Sequence, residues 1–339
     1  MADTLWPGIV VRETTSETGT TPRSSSANSP DIIMAGTTPL PDPSILTDAN
    51  NYSKEYDNSL YIGRYNYLYV RGKNFTGGTL SGSWNLFYST PNLLLYPYLW
   101  QKNQLATSDG NTNPAFTIEA GAIGASTNAF TWKPDDTSDH YCMVAVANTP
   151  EHPNPVKDIN CISDLAAIMK DNANIAQRNV HMIRGDIPEF ADKVQYDQGA
   201  EAAMVDIAIK FSNLPKGSSC IVASGTPLNG KTLEYHNDKT ESTDFKYAWT
   251  DLAVPKNWTT FFNFSVKFGS DWTGIPSTSH PSVIIRGELV QESTDRLYHL
   301  GCPADPDLRT GKARLDAVGA PVHIITVGST TTTCPEKKH

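Results

Sequence analysis

Asn66-Tyr67-Leu68-Tyr69-Val70-Arg71-Gly72-Lys73-Asn74 is followed, after Thr76-Gly77-Gly78-Thr79, by Ser83-Trp84-Asn85-Leu86-Phe87-Tyr88. In the first run Leu68 and Val70 share one face while Tyr67, Tyr69 and Arg71 share the other, the period-two signature of a strand. Turn residues between two such runs predict a hairpin. Working outward, strand patterns recur at Asp31–Met34, Ala115–Ile118, Ala129–Trp132, His140–Asn148 and Asn174–Ile183. Ala203–Phe211 alternates cleanly, with Val205, Ile207, Ile209 and Phe211 on one face, and further runs follow at Cys220–Ala223, Phe245–Trp249, Phe261–Phe268, Val283–Val290 and Val322–Val327. Only Ile162, Leu165 and Met169 recur at helical spacing, with Ser163 or Asp164 as the expected cap. The chain therefore reads as all-β: two β-sandwich domains, immunoglobulin-like or jelly-roll-like, with one short helix and an extended N-terminal arm.

The 339 residues suit two such domains. The expected divisions are an arm over 1–30, a first sandwich over 31–184, a second over 200–328 and a mobile tail over 329–339. The boundary falls in the polar stretch Arg184–Gly199, which Pro188 interrupts. Charged residues are only 19% and the formal net charge is −9, without a basic stripe, which argues against nucleic acid and anionic lipid as partners. No apolar run approaches the ~20 residues of a membrane span. Met1–Trp6 lacks a basic and then apolar leader, so the reading expects no signal peptide, cytoplasmic synthesis, and any release by a non-classical route.

In the arm, Gly8-Ile9-Val10-Val11-Arg12 precedes a Ser/Thr-rich stretch from Glu13 to Pro30 that has too little apolar surface to fold alone. A strand on such a leash suits addition to a neighbouring subunit, which makes Ile9, Val10 and Val11 interface candidates. Tyr67, Tyr69, Tyr96, Tyr98 and Trp100 join them, because Tyr and Trp offer flat faces with a polar handle for protein interfaces or sugar stacking.

Catalytic signatures are missing. There is no GxSxG elbow, no HExxH and no CxxC, and eight histidines are scattered from His140 to His339. No catalytic residue and no cofactor is expected. His140 and His181 are the one pair that neighbouring strands would bring close. Asp135, Asp136 and Asp139 form an acidic turn with oxygen ligands that suit calcium, but they lack the EF-hand order with its bidentate Glu, and a solvated turn is the plainer reading. Five cysteines, Cys142, Cys161, Cys220, Cys302 and Cys334, leave at least one unpaired; a Cys142–Cys161 bridge is one option.

Four stretches occur in a recognisable order: Ser29-Pro30-Asp31-Ile32-Ile33; Tyr67-Leu68-Tyr69-Val70-Arg71-Gly72-Lys73-Asn74; His140-Tyr141-Cys142-Met143-Val144-Ala145 after the turn Trp132-Lys133-Pro134; and Asn172-Ala173-Asn174-Ile175-Ala176-Gln177-Arg178-Asn179-Val180. Residues 29–183 thereby resemble the bacterial CARDB-type immunoglobulin-like modules of cell-surface and secreted proteins. Insertions between 90 and 130 and around 149–171 depart from the pattern, and the second half resembles no family. The resemblance implies an adhesive or scaffolding sandwich without catalysis, and carries no binding residues. The resulting expectation is a non-enzymatic structural or interaction protein that assembles with itself or with another protein. The alternative is a glycan- or receptor-binding module, or a toxin component delivered by a bacterial secretion or injection system.

Overall fold

A computed structural model describes residues 4–23, 28–54, 56, 59–134, 140–154, 158–183, 189–269, 281–307 and 311–333. The chain divides into two compact units, the first formed by Met1–Thr90, Leu95–Asn160 and Ala167–Ile183, the second by Pro91–Leu94, Cys161–Ala166 and Arg184–His339. Both are β-sandwiches, as the alternating runs predict.

The first unit holds β1 (Thr4–Leu5), β2 (Ile9–Val10), β3 (Thr20–Thr21), β4 (Ile32–Met34), β5 (Ser59–Tyr61), β6 (Asn66–Asn74), β7 (Leu80–Ser89), β8 (Ala106–Thr107), β9 (Ala115–Ile118), β10 (Ile123–Ala125), β11 (Phe130–Trp132), β12 (His140–Asn148) and β13 (Ile175–Ile183). A helical turn, α1 (Pro97–Trp100), follows β7. One sheet is built around β6, which pairs with β2, β4, β10 and β11, and β11 pairs in turn with β8. The other runs β5-β13-β12-β7-β9. Leu68 and Val70 of β6 face Trp84 and Leu86 of β7 and Met143 and Ala145 of β12 in a core with no access to solvent. Burying each large aliphatic chain there contributes about 1.5–3 kcal/mol. The opposite face of β6 is covered as well: Tyr69 packs with Ile33, Leu46 and Ala129 in a second, smaller core.

The arm expected over 1–30 is not a free leash. β2 pairs Ile9 with Asn74 and Val10 with Lys73 of the chain's own β6. A side chain at Gly72 would meet the Val10 carbonyl at 2.8 Å, so glycine is what lets β2 lie so close. Further along, Val11 N donates to the Ala173 carbonyl at 2.8 Å and Gln177 N to Glu13 Oε1 at 3.1 Å. The stretch read as too polar to fold is therefore held by buried charge. Asp31 receives Arg12 (Nη2 at 2.7 Å) and Arg71 (Nε at 2.8 Å), all three essentially solvent-free, and Arg23 pairs with Glu17 at 2.8 Å. Burial alone would push the Arg12 pKa down, but its hydrogen bond to Asp31 and that carboxylate's charge outweigh it and hold the guanidinium above its ordinary value.

The helix α2 (Ile162–Asp171) starts earlier than a cap at Ser163 or Asp164 requires, so both lie inside its first turn. Ser163 instead donates through its backbone N–H to Glu201 at 3.1 Å.

The second unit contains β14 (Glu189–Asp197), β15 (Ala203–Ser212), β16 (Ser219–Ser224), β17 (Glu234–Asn237), β18 (Phe245–Val254), β19 (Thr259–Lys267), β20 (Ser282–Gln291), β21 (Cys302–Pro303) and β22 (His323–Thr333). Its sheets run β14-β19-β16-β17 and β18-β15-β20-β22-β21. Val205, Ile207, Ile209 and Phe211 are buried as their alternation predicts. Two expected boundaries move. The polar stretch 184–199 holds β14, whose Val194 and Tyr196 are fully buried, and the expected tail begins inside β22, where Ser329 and Thr330 are buried. At Gly328 a side chain would sit 1.6 Å from the Leu93 carbonyl; only glycine admits the segment Pro91–Leu94 against β22.

Candidate functional site

The proposed interface residues are mostly interior. Ile9, Val10 and Val11 are at most 1% exposed. Tyr69 is buried, its hydroxyl accepting from Leu40 N at 3.1 Å. Tyr96 and Trp100 are buried, with Trp100 Nε1 donating to the Leu95 carbonyl at 2.9 Å. Tyr67 is half-buried, and Tyr98 alone is open, 48% exposed and stacked on Tyr96 with ring centroids 5.6 Å apart. These aromatics are structural because the loops flanking β6 and following β7 fold back over them, which local alternation does not encode.

Asp135, Asp136 and Asp139 lie outside the described residues, and among the described residues no group of three His, Cys, Asp or Glu is placed to hold a metal. His140 and His181 are direct register partners across β12 and β13. His236 bonds Glu234 on its own short strand, and His323 Nδ1 lies 2.9 Å from the Tyr298 carbonyl. Cys142, Cys161, Cys220 and Cys302 are free thiols, so the Cys142–Cys161 option is not formed. Cys142 Sγ instead donates to Asn179 Oδ1 at 3.1 Å.

Two features of the second unit stand out. The first is the mouth of the sandwich between β17 and β18. β18 pairs only with β15, so its other edge carries no strand among the described residues. Phe245, Tyr247 and Trp249 alternate on its inner side and half-close the mouth. Phe245 stacks on Phe211 (4.5 Å), Tyr247 on Tyr235 (4.3 Å), and Trp249 on Phe262 (5.9 Å). Leu228–Glu234 faces this edge across an open groove of about 1160 Å³, solvent included, and Asn229 Nδ2 donates to the Ala253 carbonyl at its far end. The aromatic spacing in β18 was readable from sequence; that the strand is an edge was not.

The second feature is a cleft of about 610 Å³, solvent included, on the outer face of the five-stranded sheet. Register puts Asp206 of β15 directly across from Glu288 of β20. Arg314 reaches Asp206 through both terminal nitrogens and Asp251 at 2.7 Å, while Asp251 N donates to Asp206 Oδ1 at 2.9 Å. Two acids are thus satisfied by one guanidinium. Burial, and then the charge of Asp206, push Glu288 up to about 7, against the smaller opposing pull of Arg286 and Arg314. Asp316 is lowered to about 2 by its hydrogen bonds from Ser293 and from the backbone of Val318 and Ala320, which shape the turn beyond Arg314. No feature of the sequence singled out this cleft, because its acids and its arginine lie far apart in the chain.

No family model matches the chain, and no curated protein matches it. Among solved structures, red sea bream transglutaminase aligns at 9% identity over 82% of this chain and 30% of its own, with a TM-score of 0.22. The calcium binding domain CBD12 of CALX1.1 aligns at 9% identity over 81% of this chain and 96% of its own (TM-score 0.19). The collagen adhesin from S. aureus aligns at 10% identity over 82% of this chain and 93% of its own (TM-score 0.14). The chain spans less than a third of the transglutaminase. At these scores the likenesses carry no assignment of activity or partner. No helix among the described residues is long and apolar enough to cross a membrane.

Proposed function

We propose that this is a non-enzymatic interaction protein that assembles with itself or with another protein through its sandwich surfaces. The observation that carries the reading is β18: ten residues of sheet edge, with aromatic side chains half-open beneath it and a groove alongside. Natural sheets blunt or cover such edges, because their unpaired N–H and C=O groups template a further strand. A partner strand laid along β18 would gain ladder hydrogen bonds and bury Tyr247 and Trp249 further. The resemblance of residues 29–183 to CARDB-type modules belongs to the same reading. Ile9–Val10 is not the donor, since β6 of the same unit already holds it.

Hydrogen exchange of the amides of residues 245–254, combined with light scattering across a concentration series, tests the proposal. Protection of those amides that grows with oligomer or partner is expected. A chain that stays monomeric, with edge amides exchanging at one rate under every condition, overturns it. A second reading, a glycan-binding module, draws on the same groove, where Asn229, Thr232 and Asp251 lie beside Tyr247 and Trp249. Tryptophan fluorescence and a glycan array separate the two.

A further inference from the structure

The charges around the outer cleft of the five-stranded sheet do not all cancel. Asp206 and Asp251 are taken up by Arg314, and Asp305 meets Lys246 at 3.5 Å in an exposed pair. Glu288 remains. It is only 9% exposed, lines the cleft, and receives no hydrogen bond from a described residue. A buried carboxylate in that position is costly unless a donor meets it. Two cations on the same face make no hydrogen bond or ion pair with a described residue: Arg286, two positions along β20 from Glu288, and Lys210, which register places across from Ile284. Both are exposed. Residues two apart on a strand point the same way, about 6–7 Å from each other. Ala208, Ala248, Ile284 and Ile324 line the cleft between and around these charges.

The donor set excludes other ligands. Among the described residues there is no three-ligand metal group. An anion alone would face Glu288 and Asp206. A simple cation would satisfy Glu288 but sit beside Arg286 and Lys210. A molecule with both charges meets Glu288 and Arg286 together.

We propose that this cleft binds a small zwitterion of the amino-acid class, its ammonium group donating to Glu288 and its carboxylate accepting from Arg286. The ligand's side chain would lie on the aliphatic wall. The cleft shares Tyr247, Ala248 and Thr250 of β18 with the edge groove, but the two groups that would hold the ligand, Glu288 and Arg286, lie on β20.

Calorimetric titration of the full chain at neutral pH tests this, using the standard amino acids singly, with ethylamine as an ammonium-only probe and acetate as a carboxylate-only probe. At least one amino acid should bind one-to-one with a dissociation constant below about 1 mM, and both half-probes should bind at least about tenfold more weakly. Glu288→Gln keeps the shape and removes the charge, and should weaken that amino acid at least about tenfold. Arg286→Met, at an exposed position that leaves the fold intact, should do the same and narrow the gap between the amino acid and ethylamine. Failure of every amino acid to bind at about 10 mM overturns the proposal. So does affinity unchanged in Arg286→Met, or ethylamine binding as tightly as the amino acid.

Discussion

Glu288 makes a specific demand on the stability of the second unit. Its pKa rises from an ordinary 4.5 to about 7 in the folded chain, chiefly through burial. Below pH 4.5 the carboxyl is neutral in both states and folding is undisturbed. As pH climbs towards 7 the unfolded chain releases this proton while the folded chain keeps it, so stability falls through that window and is lower by a fixed amount above it. The gap between 4.5 and about 7, at about 1.4 kcal/mol per pH unit, sets a ceiling near 3 kcal/mol. Water entering the open cleft reduces this, and about 1–2 kcal/mol is expected. Glu288→Gln removes the titration and keeps the shape. Urea unfolding at pH 5 and pH 8, followed by tryptophan fluorescence, should show the wild type losing about 1–2 kcal/mol more than the variant between the two pH values. In melting temperature that is several degrees, at about 2–4 °C per kcal/mol for a unit of this size. Because every other titrating group is common to both proteins, the double difference isolates Glu288. Parallel pH profiles within about 0.5 kcal/mol would refute the claim that this acid is buried without a donor.

Three further outcomes follow from the interior of the chain. Asp31→Ala strands the buried guanidinium groups of Arg12 and Arg71 and should cost about 3–5 kcal/mol in urea denaturation, with Asp31→Asn recovering only part. Ile9→Ala should cost about 2–5 kcal/mol in the chain on its own and at any concentration, because β2 completes its own sandwich; an effect seen only on association would contradict that placement. Under native conditions a thiol reagent followed by mass spectrometry should modify, among the four described cysteines, exposed Cys302 ahead of buried Cys220, since burial pushes the Cys220 thiol up to about 12.

How much of this was legible depended on the range of the interaction that decided each element. Alternation along β15 placed Val205, Ile207, Ile209 and Phe211 inside correctly, because a sheet with one core face writes its orientation into every second residue. β6 carries the same alternation, yet Tyr69 is as buried as Leu68. Its outer face is roofed by residues around Leu46 and Ala129, and no local pattern reports a roof supplied from elsewhere. The stretch after Arg12 misled for a related reason. Composition counts Arg12, Glu13, Glu17 and Arg23 as solvating charge, whereas the fold gives Arg12 its acid 19 residues on and brings Glu13 to a backbone N–H 164 residues away. β14 was missed although Val194 and Tyr196 alternate with Lys193 and Gln195, because Pro188 just ahead was read as the sign of a linker.

The two units use one device with different closure. Each meets a buried aspartate with arginine: Asp31, just ahead of β4, with Arg12 and Arg71, and Asp206 of β15 with Arg314. In the first unit the arginines also find the Thr15, Pro30, Asn51 and Tyr52 carbonyls, so the cluster's demand for partners is met from within. In the second, the same sheet face adds Glu288 beside an aspartate that is already paired, and no described residue donates a hydrogen bond to it. A sandwich selected for stability alone is better served by an apolar residue at that position, as a buried charge without a partner only costs free energy. An acid in the wall of an open cleft, with a cation two residues away and another one strand over, is the arrangement that the proposed zwitterion would meet.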